Sequence, residues 1–301
     1  MTIIGVEWTS MHLAATLIGE SGDSLAEAKA NTGAAGLKPD QFPDAFHSAI
    51  PAEWLKDAEA VYFTGMVTGH GGWVETGFVA APALLSALVE AAQVREAPGL
   101  PPLVFLPGLS LEAELPEVMR GEELKLYAAA PKGDALLVLP GRHTKWVEVR
   151  DGQVMRFATY MGGEIAALLK ADSLVGRLIP PGSPFSPSGF HRGVETAMER
   201  NLLPGGLLRR LFSARSLVLF DRLEREAIGS YLDGLVIGAE LVEAQGEWPL
   251  AELPIRIIGT GPAADSYREA LALFGHASTI ASPNVGPTFA RIHAARTIVD
   301  A

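Results

Sequence analysis

The chain opens with an acid at the end of an apolar segment, followed by a hydroxyl-rich turn, and this combination can handle phosphate. Glu7 ends segment 3–7, and Thr9 and Ser10 follow Trp8. A carboxylate in this position can hold magnesium, usually through water. The turn can offer backbone N–H groups and hydroxyls to phosphate. An ordinary hairpin is the competing interpretation of this segment taken alone.

Two adjacent acids, Glu122 and Glu123, open a predicted helix directly after Arg120 and Gly121. A positioned carboxylate can take the proton of an attacking hydroxyl as a general base. Arg120 can pair with a substrate carboxylate through two parallel N–H groups. The alternative is that the acids are solvated and only stabilise the helix N-terminus.

Hydrogen-bond donors crowd a tight turn between two predicted strands, at Gly141, Arg142, His143 and Lys145. His143 and Lys145 alternate along the chain, which predicts that they share one face of a strand. Such a concentration of donors suits an anion such as phosphate. An exposed hairpin with solvated charges explains the segment equally well.

Glycines mark two further turns. Gly259, Thr260 and Gly261 follow a predicted strand and open a helix, a setting that favours phosphate or nucleotide binding. The segment also matches the dinucleotide pattern, but the next strand, 278–281, has no terminal acid for a ribose, which argues against a Rossmann oxidoreductase. The glycine-rich segment 65–73 permits a close approach of backbone to ligand, or is simply a flexible loop.

The elements that position these turns form a repeated pattern. Three short strands are followed by alternating helices and strands, and three strands at 135–139, 145–149 and 154–159 begin the pattern again. This repeat predicts two related α/β lobes, 1–131 and 132–301, with loop chemistry at the break. Two lobes create a cleft, where small ligands bind.

The composition limits the function classes. The chain has 301 residues, no cysteine and a formal net charge of -11. The lack of cysteine excludes disulfides and thiolate chemistry. Lys and Arg are scattered, which argues against nucleic-acid binding. With no signal peptide and no apolar run near the roughly 20 residues that cross a bilayer, we expect a cytoplasmic protein without a membrane partner. The apolar helix content leaves a homodimer open.

These motifs, in this order, resemble the 2-dehydro-3-deoxygalactonokinase family from about Ile3 to the last helix. The matched stretches are Gly65-Met66-Val67, Gly72-Trp73, Pro107-Gly108-Leu109, Met119 to Glu123, Pro140-Gly141 with His143 and Lys145 to Val147, Met161 with Gly163-Glu164, and Gly259-Thr260. Each stretch alone is weak evidence for the family, but the combination of stretches is specific.

The resemblance implies an α/β protein with the actin-like ATPase fold, in which two ribonuclease-H-like lobes with a cleft between them clamp ATP. The first lobe would be the sugar-acid side and the second the nucleotide side. The last helix could pack back on the first lobe. The implied reaction uses ATP and Mg²⁺ and moves the γ-phosphoryl group to the 6-hydroxyl of 2-dehydro-3-deoxy-D-galactonate.

The residues and the resemblance together predict the site. The nucleotide and phosphate group consists of Thr9, Ser10, Gly141, Arg142, His143, Lys145, Gly259, Thr260 and Gly261. The substrate-binding group consists of Trp8, Gly65, Met66, Trp73, Arg120 and Glu164. Glu7 is predicted to hold magnesium through water. Glu123 is the predicted base, with Glu122 second and Arg120 beside them, because this helix start is also similar to that of the exopolyphosphatases of the same superfamily.

The chain departs from the family pattern at both phosphate turns. The family usually opens with Asp-Trp-Gly, where this chain has Glu7, Trp8 and Thr9, and it usually has Thr at the position of Arg142. If the turn requires a positive φ, Thr9 costs on the order of 1 kcal/mol or more. Two alternatives to an active kinase therefore stay open: a relative that binds a sugar acid without phosphoryl transfer, and a phosphohydrolase of the same superfamily.

Overall fold

A computed structural model of the chain describes residues 2–130, 133–198 and 205–299. Its residues divide into two compact α/β units. The first unit comprises the described parts of Met1–Gly133, Val149–Arg156 and Pro283–Ala301, and the second those of Asp134–Glu148 and Phe157–Ser282. The lobe boundary predicted at Pro131 and Lys132 lies outside the described residues.

A six-stranded sheet forms the centre of the first unit. Its strands are β1 (Thr2–Trp8), β2 (Leu13–Gly19), β3 (Ser24–Ala30), β4 (Val61–Gly65), β6 (Gln93–Arg95) and β7 (Leu103–Phe105), in the order β3-β2-β1-β4-β7-β6. The first three strands are antiparallel, and β1, β4 and β7 are parallel. The carboxyl ends of β1 and β4 therefore share one sheet edge, where open α/β sheets bind ligands.

A five-stranded sheet, most of whose residues belong to the second unit, repeats this strand order. Its strands are β10 (Ala135–Leu139), β11 (Thr144–Arg150), β12 (Gln153–Tyr160), β13 (Ile255–Ile258) and β14 (Ser278–Ala281), in the order β12-β11-β10-β13-β14. β10, β13 and β14 are parallel. Every residue of β10 is buried, as expected for a parallel strand covered on both faces. The predicted repeat of two α/β patterns is therefore present in the structure.

A small sheet in the first unit has no counterpart in the predicted pattern. It consists of β5 (Phe78–Ala80), β8 (Gly108–Leu111) and β9 (Glu117–Met119), in the order β5-β8-β9. Strands of three or four residues are too short to show a period-two hydrophobic pattern. β9 ends immediately before Arg120, so this sheet fixes the chain that leads into the Glu122-Glu123 helix start.

The helices of the two units pack around these sheets. The first unit contains α1 (Phe42–Ala49), α2 (Ala52–Asp57), α3 (Leu85–Glu90), α4 (Glu123–Ala129) and α11 (Gly286–Val299). The second contains α5 (Gly162–Asp172), α6 (Pro187–Met198), α7 (Leu207–Leu211), α8 (Ser213–Leu219), α9 (Ile228–Glu247) and α10 (Pro262–Leu273). Across the described ranges, every helix is too short or too polar to cross a membrane.

The sequence pattern predicts a helix over segment 82–92, with Pro in its first turn, and another over segment 223–242, with apolar positions at helical spacing. Both helices begin later in the structure than the pattern predicts. The helix expected from Pro82 begins at Leu85, because Ala83 is extended and exchanges backbone hydrogen bonds with Val154. The helix expected from Leu223 begins at Ile228, because the 3-10 turn Arg225–Ala227 precedes it.

Candidate active site

A buried carboxylate lies where β4 meets the start of α4. Glu123 has no exposed surface. Its Oε1 accepts a 2.6 Å hydrogen bond from the Thr64 hydroxyl, and its Oε2 accepts a 2.7 Å bond from the Gly121 amide. Burial raises the pKa of Glu123 to about 7, against the opposing effect of the Thr64 hydrogen bond. A carboxyl group fixed at both oxygens and poised near neutral pH suits proton transfer.

A second carboxylate lies on the neighbouring strand of the same sheet edge. The register of β1 and β4 pairs Glu7 with Thr64. Glu7 Oε2 lies 3.0 Å from the Nζ of Lys125, and both side chains are half-buried. α4 thus supplies partners to both strands: Glu123 to Thr64 on β4, and Lys125 to Glu7 on β1.

The backbone at the end of β4 requires glycine. Gly65 has a φ of 94°, and a Cβ there would lie 2.6 Å from the carbonyl oxygen of Trp8. The same contact keeps the ends of β1 and β4 close together. Gly121 approaches from the other side, because its own Cβ would lie 3.2 Å from the Gly65 Cα. Close backbone packing therefore connects both strand ends to the start of α4.

The first predicted phosphate turn is a side-chain-stabilised turn without strain. The Thr9 hydroxyl accepts hydrogen bonds from the amides of Met11 and His12, at 3.2 and 3.1 Å. Thr9 is not among the non-glycine residues with positive φ, so the strain considered for a Thr-for-Gly replacement does not arise. Ser10 is exposed at the tip of the turn.

Arg120, predicted to bind a substrate carboxylate, has its guanidinium bonded within the protein. Its Nη1 donates to the carbonyl and hydroxyl of Thr68 and to the hydroxyl of Thr76, and its Nη2 donates to the carbonyl of Gly77. The guanidinium also lies 4.4 Å from the centre of the Phe78 ring. Desolvation lowers the pKa of Arg120, while Glu123 opposes the shift. The guanidinium thus fastens the glycine-rich loop to the start of α4.

Two predicted substrate-binding aromatics pack with core residues, Trp8 completely buried and Trp73 partly exposed. Trp8 is completely buried and donates its indole N–H to the Thr32 carbonyl at 2.8 Å. Trp73 packs against the rings of Phe63 and Phe105, at centroid distances of 5.4 and 5.5 Å. We therefore leave both residues out of the proposed site. Met66 is 42% exposed and stays available to a ligand.

Glu122 has a local partner. Its Oε2 accepts a 3.1 Å hydrogen bond from the Arg120 amide, which lies upstream of the helix. Glu122 stands at the N-cap position of α4, but its side chain makes no capping hydrogen bond to that helix. Of the pair, Glu123 is the one that is buried and bonded to Thr64 of β4.

The second predicted phosphate turn lies in the second unit, and it carries an ion-pair cluster. Arg142 Nη2 lies 3.0 Å from Glu164 Oε1, and His143 Nε2 lies 2.5 Å from Glu164 Oε2. The hydrogen bonds from His143 and Arg142 lower the pKa of Glu164. Glu164, predicted to bind substrate, therefore contacts Arg142 and His143, which are predicted to bind phosphate. We reassign it to holding Arg142 and His143.

The start of α5 packs directly against this turn. The Glu164 amide donates to the Arg142 carbonyl at 2.9 Å, and a Cβ on Gly163 would lie 2.1 Å from the Gly141 carbonyl oxygen. Glycine at 163 is thus required for the contact. This close approach to the Gly141 carbonyl gives a physical reason for the glycine at position 163, one of the positions that carry the family resemblance.

A buried polar network lies next to the second predicted phosphate turn. Lys145 is buried and donates to the Thr159 hydroxyl at 2.6 Å. The Thr144 hydroxyl lies 2.9 Å from the Tyr267 hydroxyl, which donates to Glu240 Oε2 at 2.8 Å. Trp146 donates its indole N–H to Glu240 Oε1 at 2.7 Å. His143 is exposed whereas Lys145 is buried, so the two differ in access to a ligand.

The third predicted turn has the strand-turn-helix context expected for it. Gly259 and Thr260 follow β13, and Gly261 precedes α10 with a φ of 75°. Thr260 and Gly261 are both exposed, which leaves this helix start accessible. Tyr267 of α10 belongs to the Glu240 network, so α10 is tied to the second phosphate turn.

The residues near Glu7 fit a magnesium site with a single protein carboxylate. No cluster of three or more His, Cys, Asp or Glu side chains that could hold a metal occurs in the part of the chain that the structure describes. In phosphotransfer sites, however, Mg²⁺ is held by one or two carboxylates together with substrate phosphates. Glu7 can serve in that way, in competition with Lys125 for its Oε2.

Three residues of these clusters were missed by reasoning from the sequence: Thr64, Lys125 and Glu240. Thr64 is a polar residue at the end of an otherwise apolar strand, which was a usable signal. Glu240 interrupts the apolar face of a long helix, a second usable signal. Lys125 has no local signal, because its partner is distant in sequence.

Comparisons with known proteins agree with this geometry. A family model described as 2-keto-3-deoxy-galactonokinase matches residues 7–286. The 2-dehydro-3-deoxygalactonokinase of Escherichia coli (strain K12) is 30% identical over 274 residues, which cover 90% of this chain and 90% of that protein. A Sinorhizobium meliloti crystal structure named for the same kinase matches with a TM-score of 0.84 at 25% identity and covers 99% of both chains.

The likeness in fold extends further. The Acidaminococcus fermentans (R)-2-hydroxyglutaryl-CoA dehydratase component A matches with a TM-score of 0.51 at 11% identity, over 99% of this chain and 98% of that one. Together with the repeated strand order, these matches confirm the predicted α/β fold class of two ribonuclease-H-like units. The chain belongs to the 2-keto-3-deoxy-galactonokinase family and is a phosphotransferase of the 2-dehydro-3-deoxygalactonokinase type.

Proposed function

We propose that the protein transfers the γ-phosphoryl group of ATP to the 6-hydroxyl of 2-dehydro-3-deoxy-D-galactonate. The observation that carries this proposal is Glu123, a buried carboxylate held at both oxygens by Thr64 and the Gly121 amide. Membership of the family, and the kinase name of the Escherichia coli relative, supply the substrate class.

Glu123 acts as the general base in this proposal. The carboxylate accepts the proton of the 6-hydroxyl as the oxygen attacks the γ-phosphorus, and the bond to the ADP oxygen breaks in line. Its two hydrogen bonds fix the carboxylate before substrate arrives, which reduces the reorganisation needed in the transition state. Arg120 contributes indirectly, by fastening residues 68–77 to the start of α4.

Phosphate binding is assigned to the turns. In the second unit, the exposed Arg142 and His143 supply donors to phosphate oxygens, and the buried Lys145 supports the turn through Thr159. The turn of Gly259 to Gly261 takes the adenosine side. In the first unit, Thr9 and Ser10 supply the other phosphate turn. Glu164 keeps Arg142 and His143 together until phosphate, the stronger anion, competes for them.

Glu7 is the residue assigned to magnesium, through water. A magnesium ion held there would supply positive charge to offset the negative charge of the phosphate groups. The first unit is thereby proposed as the sugar-acid side and the second as the nucleotide side.

A coupled ADP-release assay tests the proposal. The wild-type protein is supplied with ATP, magnesium and 2-dehydro-3-deoxy-D-galactonate, with a control without sugar acid and a second control with the C4 epimer of the sugar acid. We expect ADP release that depends on the galactonate derivative and is weaker with the epimer. ADP release that is equally fast without any sugar acid would identify a hydrolase instead.

A further inference from the structure

The ion pair of Glu7 and Lys125 occupies the position where the proposed function requires a metal. Lys125 Nζ lies 3.0 Å from Glu7 Oε2, with the lysine side chain 32% exposed and the glutamate side chain 26% exposed. The two residues come from different elements, the end of β1 and the first turn of α4. The pair is thus part of the tertiary structure and is accessible to a ligand.

Helix energetics do not explain a lysine at this position. The N-terminus of a helix carries partial positive charge and favours acids in the first turn, so Lys125 is placed against that preference. It follows the buried Glu123, the proposed base, by two residues. A residue that breaks a local rule beside an active site is a candidate for a role in that site.

The charges around this edge of the sheet leave the ammonium available to phosphate. Glu7, at the end of β1, forms its ion pair with Lys125 of α4. Glu123 is bonded to Thr64 of β4 and to the Gly121 amide instead, so it does not contact the ammonium group through these bonds. An ammonium has three N–H donors, and the ion pair with Glu7 uses one of them. Phosphate oxygens that approach Glu7 would otherwise meet an uncompensated carboxylate, which repels them.

We propose that Lys125 is a built-in cation of the phosphoryl-transfer site, which neutralises Glu7 in the absence of metal, binds nucleotide phosphate directly and competes with Mg²⁺ for the Glu7 carboxylate. This inference rests on the proposed function, because it assumes that ATP binds beside Glu7. It predicts that ATP binding depends less on magnesium in the wild-type protein than in a variant that keeps Glu7 but lacks Lys125.

The competition gives effects of opposite sign. Replacing Lys125 by Met removes a positive charge from the phosphates, so metal-free ATP binds more weakly. The same replacement frees Glu7, so magnesium improves ATP binding more than in the wild type. Replacing Glu7 by Gln releases the ammonium and removes the metal carboxylate, so metal-free binding is retained and the improvement by magnesium is lost. If the pair had only a structural role, the variants would change ATP affinity equally without and with magnesium.

Calorimetric titration with ATP, once in EDTA and once in excess magnesium, tests this inference without measuring turnover. For Lys125→Met we expect about tenfold weaker binding in EDTA and an enhancement by magnesium that is about tenfold larger than in the wild type. Lys125→Arg keeps the charge and should restore binding in EDTA to within about threefold. Lys29→Met is the matched control, since Lys29 forms an exposed pair with Glu27, and it should behave as the wild type.

The outcomes separate the two proposals. Equal weakening of ATP binding in EDTA and in magnesium by Lys125→Met overturns the inference and leaves the proposed function intact, as does unchanged binding in both conditions. Failure of the wild-type protein to bind ATP in either condition overturns the proposed function and, with it, this inference.

Discussion

At the scale of single residues, the proposed chemistry depends on the ionisation of Glu123. Its pKa is raised to about 7 by burial, and a general base must be ionised, so kcat/KM should fall about tenfold per pH unit as pH decreases below about 7. Thr64→Val removes the hydrogen bond that favours the charged form, and the decline should then begin at higher pH. A pH–rate profile of both proteins checks this; identical profiles would contradict it.

The role of the carboxylate itself is tested by Glu123→Gln, which keeps the size of the side chain but replaces one acceptor oxygen by an NH₂ donor. The remaining oxygen can accept from the Gly121 amide, and the NH₂ group can donate to the Thr64 hydroxyl. Turnover should decrease by about 10² to 10⁴, while ATP affinity changes little. Steady-state kinetics with calorimetric binding of ATP measure the two quantities separately. Near-normal turnover would exclude Glu123 as the base.

Gly65 is the residue whose backbone is most sharply constrained at the same site. Gly65→Ala should lower the free energy of unfolding by on the order of 2 kcal/mol or more, because φ is 94° and the added Cβ meets the Trp8 carbonyl oxygen at 2.6 Å. Gly246→Ala is the matched control: its Cβ meets no atom within 4 Å and it lies in α9, so it should be neutral or stabilising. Denaturant unfolding of both variants gives the comparison.

At the scale of elements, Glu240 connects three of them beneath the second phosphate turn: α9, β11 through Trp146 and α10 through Tyr267. Burial raises the pKa of Glu240 to about 7. The folded protein therefore retains a proton that the unfolded chain has lost between about pH 4.5 and 7. The stability contributed by the protonated form is present at low pH and decreases as pH rises through that window.

Glu240→Gln should remove this pH dependence. We expect the variant to be more stable than the wild type at pH 8, by on the order of 1 to 3 kcal/mol, and nearly equal to it at pH 5. Glu240→Ala, which also removes both hydrogen bonds, should be less stable at both pH values. Thermal unfolding at pH 5 and pH 8 distinguishes the cases, and equal stability differences at both pH values for Glu240→Gln would contradict the assignment.

At the scale of the whole molecule, the repeated strand order was accessible from the sequence because β1 to β3 and β10 to β12 carry apolar runs separated by short turns. The turns at Gly141 and Gly259, and the helix start at Glu123, were accessible for the same reason, since each adjoins a strand or a helix with a clear pattern. The residues could be placed on elements before any contact was known.

What the sequence could not predict depends on contacts between distant residues. Trp8 and Arg120 looked like ligand-binding residues because indole and guanidinium groups are common in binding sites, yet their partners, Thr32 and the segment 68–77, use them internally. The pairing of Lys125 with Glu7 spans most of the first unit's sequence. No local pattern encodes such contacts, so charged and aromatic residues near a motif are the hardest to assign.

The most direct test of the central claim identifies the product. The protein is incubated with ATP, magnesium and 2-dehydro-3-deoxy-D-galactonate, and the mixture is examined by phosphorus and carbon nuclear magnetic resonance. The account predicts a phosphomonoester on carbon 6 of the sugar acid, formed together with one ADP per sugar. Inorganic phosphate with an unmodified sugar acid, or an unmodified sugar acid and intact ATP, would contradict it.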